Sequence, residues 1–160
     1  MDMSIDLLEN IQDAPYDLLL LADPSRDHIN EYLRRGQCYV AANKHEVIGV
    51  FVLLRTRPGT MEIMNVAVRD KYQGQGIGKK LVLCAIGKAI EQQAVTIEIG
   101  TGNSSLSQLG LYQKCGFRIT GVDRDFFIRH YDEEIVENGI PCRDMIRLSL
   151  DAGSFHPIPS

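Results

Sequence analysis

Between Met61 and Ile99 the chain reads as a strand, a glycine-rich turn, a helix and a second strand with few residues to spare, and this succession limits the fold more than any other feature. The apolar positions Ile77, Leu81, Val82, Ala85, Ile86, Ala89 and Ile90 fall at i, i+4, i+5, i+8, i+9, i+12 and i+13, a single stripe along one helix. Val95, Ile97 and Ile99 then alternate with Thr96 and Glu98, the period of a strand. A helix that leaves one strand and feeds the next so directly sets the two strands parallel, through a right-handed crossover.

The flanking segments fix what surrounds that unit. Pro15 to Ala22 reads as helical, and a second helix runs from a cap at Asp23 or Ser25 to Arg35, where Gly36 stops it. Cys38 to Ala42, Val47 to Leu54 and Met61 to Val68 are rich in apolar and β-branched residues. Turn-forming Asn43-Lys44 and Arg57-Pro58-Gly59-Thr60 separate them, which predicts an antiparallel meander. After the crossover come a polar loop from Gly100 to Ser105 and a short helix from Leu106 to Lys114, ended by Cys115-Gly116-Phe117. Strands follow over Phe117 to Val122 and Met145 to Leu150. The predicted class is α/β (α+β): a mixed, mostly antiparallel sheet with one parallel strand pair, flanked by helices. Residues 1–150 are expected to form a single domain, and Asp151 to Ser160, with its Gly, Ser and Pro content, a loose C-terminal tail.

Composition removes several classes of function. With 17 Lys and Arg against 21 Asp and Glu, the formal net charge is −4; no broad basic face is available to neutralise phosphates, so no nucleic-acid partner is expected. The apolar run Leu18 to Ala22 is far short of the roughly 20 residues a bilayer demands, and the N-terminus shows no basic region followed by an apolar signal core. A cytoplasmic protein with no membrane contact is expected. Cys38, Cys84, Cys115 and Cys142 contain no C-x-x-C pair and have no histidine at zinc-ligand spacing, which predicts free thiols and no metal site.

Gln73-Gly74-Gln75-Gly76-Ile77-Gly78-Lys79-Lys80 opens the striped helix. Closely spaced glycines let a backbone approach a ligand with no Cβ in the way, and free N–H groups at a helix start favour anionic oxygens, so a phosphate is expected there. An ordinary turn before a helix is the alternative. A Walker loop requires glycine five positions before Gly78 and Ser or Thr after Lys79, where the chain has Gln73 and Lys80. A dinucleotide fingerprint starting at Gly74 requires glycine at position 79, which is lysine. Neither motif is present.

Gln73, Gly76 and Gly78 fit the pyrophosphate loop of the GCN5-related N-acetyltransferase superfamily, and Leu111-Tyr112-Gln113-Lys114-Cys115-Gly116-Phe117 resembles that family's Leu-Tyr-x-x-x-Gly-Phe signature. Gln73 and Tyr112 stand 39 positions apart with the family's helix and strand between them, and the resemblance extends over Cys38 to Leu150. It implies acetyl-CoA as donor, its pyrophosphate held by main-chain N–H groups of Gln73, Gly74, Gln75, Gly76, Ile77, Gly78 and Lys79. It further implies that the strand before the loop splays from its parallel neighbour at a bulge. The edge of Val66, Ala67 and Val68 then receives the pantetheine arm like an added strand, and an N–H near Val66 polarises the thioester carbonyl. Tyr112 stands where the family carries the thiolate's proton donor, and Glu62 where histone-type members carry a general base. The asparagine that often lies seven residues before this tyrosine is replaced by Ser105, with Asn103 two residues earlier, so either is a candidate cofactor contact.

The residues themselves admit these roles and plainer ones. Tyr112 is a candidate acid or an aromatic packing the short helix onto the sheet. Glu62 has the strand parity of Met64 and Val66 rather than of Ile63 and Asn65; among apolar neighbours its pKa rises and it suits a water-relayed base, whereas on an open surface it is only an exposed strand glutamate. Cys84 and Cys115 have no evident base beside them and read as structural thiols, which favours direct transfer over a cysteine intermediate. From Asp123 to Asp144, seven acids (Asp123, Asp125, Asp132, Glu133, Glu134, Glu137, Asp144) face Arg124, Arg129 and Arg143, a field that attracts an amine or solvates a surface loop. Within it His130 reads as a solvated residue near a substrate region. Phe126, Phe127 and Tyr131 line an acceptor pocket, cover the sheet edge, or contact a second copy in a homodimer. The expected activity is direct acetyl transfer to a primary amine of a small molecule or protein. A non-catalytic acyl-CoA sensor, against which Tyr112 weighs, and a partner-binding module are the alternatives.

Overall fold

The computed structural model describes residues 2–156. Strand β1 (Ser4–Leu7) precedes helices α1 (Tyr16–Ala22) and α2 (Arg26–Arg35) and strands β2 (Gln37–Ala42), β3 (Val47–Arg57) and β4 (Thr60–Val68). Then come α3 (Ile77–Glu91), β5 (Thr96–Gly102), α4 (Leu106–Lys114), β6 (Arg118–Asp123) and the short α5 (Phe126–His130). A small hairpin of β7 (Val136–Glu137) and β8 (Ile140–Pro141) leads into β9 (Met145–Asp151). The main sheet runs β1-β2-β3-β4-β5-β9-β6, antiparallel throughout except between β4 and β5. This is the mixed sheet with one parallel pair that the sequence predicts.

The helices cover both faces. Leu81, Val82, Ala85, Ile86 and Ala89 of α3 pack with Ile97, Ile99, Leu148 and Leu150 on one side, and α4 adds Tyr112 and Cys115. On the other side Leu18 and Leu19 of α1 and Ile29 and Leu33 of α2 meet Val50, Val52 and Leu54. Each such buried Leu, Ile or Val contributes roughly 1.5–3 kcal/mol by leaving water. Ser25 is the cap of α2, its Oγ accepting the His28 N–H at 3.2 Å. Asp23, the other candidate, does different work at the site described below. Helix α3 starts from Gly76, whose φ of +81° lies in the left-handed region where a side chain is strained.

Several boundaries differ from expectation. β1 escapes a hydrophobicity pattern because it is a short edge strand with mostly exposed side chains. Val95 lies outside β5 and is 64% exposed, while the strand continues through Gly100–Gly102, paired with β9, where a loop was expected. β9 reaches Asp151, and Ala152 and Phe155 pack on the α3 side of the core, so packed chain extends beyond the expected boundary at 150. Residues 157–160 of the expected tail lie outside the described residues.

The decisive irregularity is in β4. Val52 pairs with Asn65 but Leu53 pairs with Ile63, leaving Met64 as the extra residue of a bulge. The bulge reverses the side-chain alternation: Met61 and Ile63 pack on the α3 side, and after it Val66 and Val68 do the same, while Met64 and Ala67 pack toward α1 and α2. Glu62 therefore does not share the face of Val66, contrary to the uninterrupted period-2 reading. β4 and β5 pair only from Thr60 with Thr96 to Ile63 with Ile99. Beyond the bulge β4 keeps β3 as its partner and β5 keeps β9, so the parallel pair splays. The Arg69 N–H donates to Ile48 O at 2.7 Å, and ladder alternation then turns the main-chain groups of Val66 and Val68 away from β3, toward the gap.

Candidate active site

Two cavities meet at the splay. A groove of about 450 Å³ lies over Val66, Ala67, Val68 and the glycine-rich turn, with Ser107, Gln108, Leu111 and Tyr112 of α4 as its far wall. At its floor Lys80 is the first residue of α3 whose N–H finds a helical acceptor, Gly76 O at 3.2 Å. The Gln73 N–H, expected among the pyrophosphate donors, instead donates to Asp70 O at 3.2 Å, closing the turn before the loop, whereas those of Gly74, Gln75, Gly76, Ile77, Gly78 and Lys79 donate to no protein acceptor among the described residues. Together with the positive end of α3, these free donors have the chemistry to hold an anion. The glutamine side chains are turned to the protein: Gln73 Nε2 donates to Val68 O at 3.0 Å and Asp70 Oδ1 at 3.2 Å, and Gln75 Nε2 to Lys71 O at 3.4 Å. A Cβ built on Gly78 meets only the side chains of Leu111 at 3.5 Å and Val68 at 3.9 Å, so glycine there keeps groove space open rather than relieving a protein clash.

The second cavity, about 590 Å³, is lined on one side by Glu62, Asn65 and Val66 of β4 and on the other by Phe126, Phe127, His130 and Tyr131. Leu21, Ala22, Val66, Gln108 and Tyr112 border both spaces. Tyr112 is only 4% exposed; its ring packs edge-to-face on Phe117 at 6.4 Å, and nothing among the described residues hydrogen-bonds its hydroxyl. Burial, with the neighbouring Cys115 thiol adding to it, pushes the phenol pKa up, so the proton stays on the oxygen at neutral pH. Packing thus leaves the hydroxyl with a proton to give, so the two readings of Tyr112 do not exclude each other.

Glu62 keeps 14% of its side chain exposed and accepts from Arg147 Nη1 at 3.3 Å. Burial raises its pKa, Arg147 opposes that rise, and Glu98 adds to it. The sequence-based expectation of a raised carboxylate holds although its parity argument does not, because the bulge and the splay bring both faces of β4 to the cavities.

Other expected residues fall elsewhere. Asn103 lines neither cavity: its Oδ1 accepts from the N–H groups of Arg143 (2.8 Å) and Asp144 (3.0 Å) and its Nδ2 donates to Pro141 O, which fixes the segment entering β9. Ser105 borders the larger cavity, not the groove, and donates to Glu137 Oε1 at 3.0 Å. Of the acids from Asp123 to Asp144 only Glu137 lines a cavity; Asp123 pairs with Arg129 and Asp125 with Arg143. The four cysteines are free, with burial raising each thiol pKa, Cys38 to about 11. Among the described residues no cluster of His, Cys, Asp and Glu is arranged to hold a metal ion, and no helix is long and apolar enough to cross a membrane.

Sequence reasoning missed a buried network. Asp23 Oδ2 accepts from Tyr32 OH at 3.1 Å and Oδ1 from Tyr131 OH at 2.8 Å, and Tyr32 OH in turn accepts from Asn65 Nδ2 at 2.8 Å. No local pattern announces a partner 108 residues away. Ser107 and Gln108 were findable, since they precede the groove residues Leu111 and Tyr112 by one helical turn on the same face.

A model of the "Acetyltransferase (GNAT) family" matches residues 5–117. The chain is 62% identical over 149 residues to the "uncharacterized N-acetyltransferase YvbK" of Bacillus subtilis (strain 168), covering 93% of this chain and 96% of that one. A Bacillus subtilis acetyltransferase solved in complex with CoA superposes with a TM-score of 0.89 at 62% identity, covering 94% of this chain and 99% of the other. A GNAT-family acetyltransferase from Elizabethkingia anophelis with acetyl-CoA bound gives 0.91 at 48% identity, covering 93% and 97%. With sequence, sheet topology and groove in agreement, the chain belongs to the acetyltransferase (GNAT) family and is an acetyl-CoA-dependent N-acetyltransferase.

Proposed function

We infer that the protein transfers acetyl directly from acetyl-CoA to a primary amine, with the donor in the smaller groove and the acceptor in the larger cavity. The observation that carries this reading is the position of Tyr112 on the border of both spaces, beside Val66. Acetyl-CoA supplies an activated acyl carbon whose thiolate leaves once a nucleophile adds. N–H groups from Gly74 to Lys79 hold its pyrophosphate, and the open edge of Val66–Val68 aligns the pantetheine arm. The Val66 N–H donates to the thioester carbonyl oxygen, where negative charge grows during addition. The amine lone pair forms the new C–N bond as the C–S bond breaks. The proton released by nitrogen passes through water to the Glu62 carboxylate, and the sulfur takes the Tyr112 phenolic proton, which solvent restores.

Incubation with acetyl-CoA and a panel of primary amines, reading free thiol and product mass together, tests the reading. Thiol and acetylated amine are expected in equal amounts. CoA binding with neither product would make the chain an acyl-CoA sensor instead.

A further inference from the structure

We propose that the larger cavity selects an acceptor with two cationic nitrogens, the distal one held on Asp23, so that its preferred acceptors are small diamines rather than monoamines. The inference rests on the reading of that cavity as the acceptor site. Asp23 ends α1, is 8% exposed, and lines the cavity. Its carboxylate takes three neutral donors: the Ser25 N–H (3.0 Å) and Tyr131 OH (2.8 Å) on Oδ1, and Tyr32 OH (3.1 Å) on Oδ2. A carboxylate has about four acceptor sites, so one remains, on Oδ2.

The charge is unanswered as well. Of the other cavity acids Glu62 has Arg147 and Glu31 has Arg34 and Arg35; Asp23 and Glu137 take part in no ion pair among the described residues, and of these two Asp23 is buried while Glu137 is exposed. A buried carboxylate surrounded only by neutral donors favours a cation brought to it by a ligand. The adjacent wall suits an ammonium on an alkyl chain. Tyr131 meets His28 edge-to-face at 4.8 Å and lies tilted against Phe127 at 5.3 Å, and Phe126 lies tilted against His130 at 4.6 Å, so this part of the cavity lining is aromatic. Glu62 on β4 and Asp23 at the α1–α2 junction stand at separate points of the wall, so one nitrogen is acetylated while the other is anchored.

Calorimetry on CoA-loaded protein tests this without turnover, comparing diaminobutane with butylamine and diaminohexane with hexylamine. At least one diamine should bind about tenfold more tightly than its monoamine. Asp23→Asn should cut that preference to within about twofold, and Glu137→Gln, which keeps the Asp23 charge, should preserve it. Equal binding of both pairs by the wild type overturns the proposal, and that comparison needs no variant to fold. A preference that survives Asp23→Asn, or that Glu137→Gln abolishes, overturns it too. Diamine binding without any acetylated product would reject the proposed function and overturn the acceptor role, leaving Asp23 only as a diamine-binding carboxylate.

Discussion

Two side chains carry the proposed proton transfers, and each has a separable test. Tyr112→Phe keeps the ring on Phe117 and removes a hydroxyl that no group among the described residues uses, so fold and acetyl-CoA affinity should survive. The single-turnover rate should fall by about 10² to 10⁴, the usual contribution of a general acid; a rate within about threefold of the parent would reduce Tyr112 to packing. Glu62 must be ionised to accept a proton, and burial holds its pKa above the ordinary glutamate value. Its acid limb in kcat/KM should therefore lie above the usual carboxylate range, and Glu62→Gln should remove that limb and leave only the amine's own. The sign for stability is the reverse: the folded state binds this proton more tightly than the unfolded chain, so Glu62 favours folding below the ordinary glutamate pKa, and the contribution is lost as pH rises through the raised value. A pH series of thermal unfolding on wild type and Glu62→Gln measures it.

At the scale of elements, the turn before α3 separates two uses of glycine. Gly78 has space for a methyl group, so Gly78→Ala should keep the fold and weaken acetyl-CoA binding by filling the groove. Gly76, at φ +81°, also has open space, but any side chain there should cost about 1–2 kcal/mol from backbone strain. Calorimetry with acetyl-CoA and thermal unfolding on both variants distinguish ligand space from strain; an unchanged affinity in folded Gly78→Ala would misplace the groove. Elements built on sustained periodicity, α3 above all, were legible in the sequence, and so was the glycine turn. The bulge at Met64 was not placed by it, because an extra residue changes no letter and only shifts what lies opposite. Asn103 was a candidate by residue type, two positions from the family's asparagine, and its hydrogen bonds to residues 141–144, remote in the chain, have no local signal.

Across the whole molecule, a mixed sheet is held together on both faces by helices and opened at one point, where four residue pairs of the parallel strands give way to separate partners. The opening lets Tyr112, carried on the α3 side, border a cavity lined by residues of α1, α2 and the segment after β6. In the proposed reading that arrangement seats donor and acceptor together, on either side of one opening. Direct transfer, as proposed, requires a ternary complex, and burial raises the pKa of all four thiols, which disfavours a cysteine way station. An initial-velocity grid, varying acetyl-CoA at several fixed concentrations of an acetylated amine, tests this most directly: intersecting double-reciprocal lines are the result predicted, and parallel lines, the mark of an acetylated-enzyme intermediate, would contradict it.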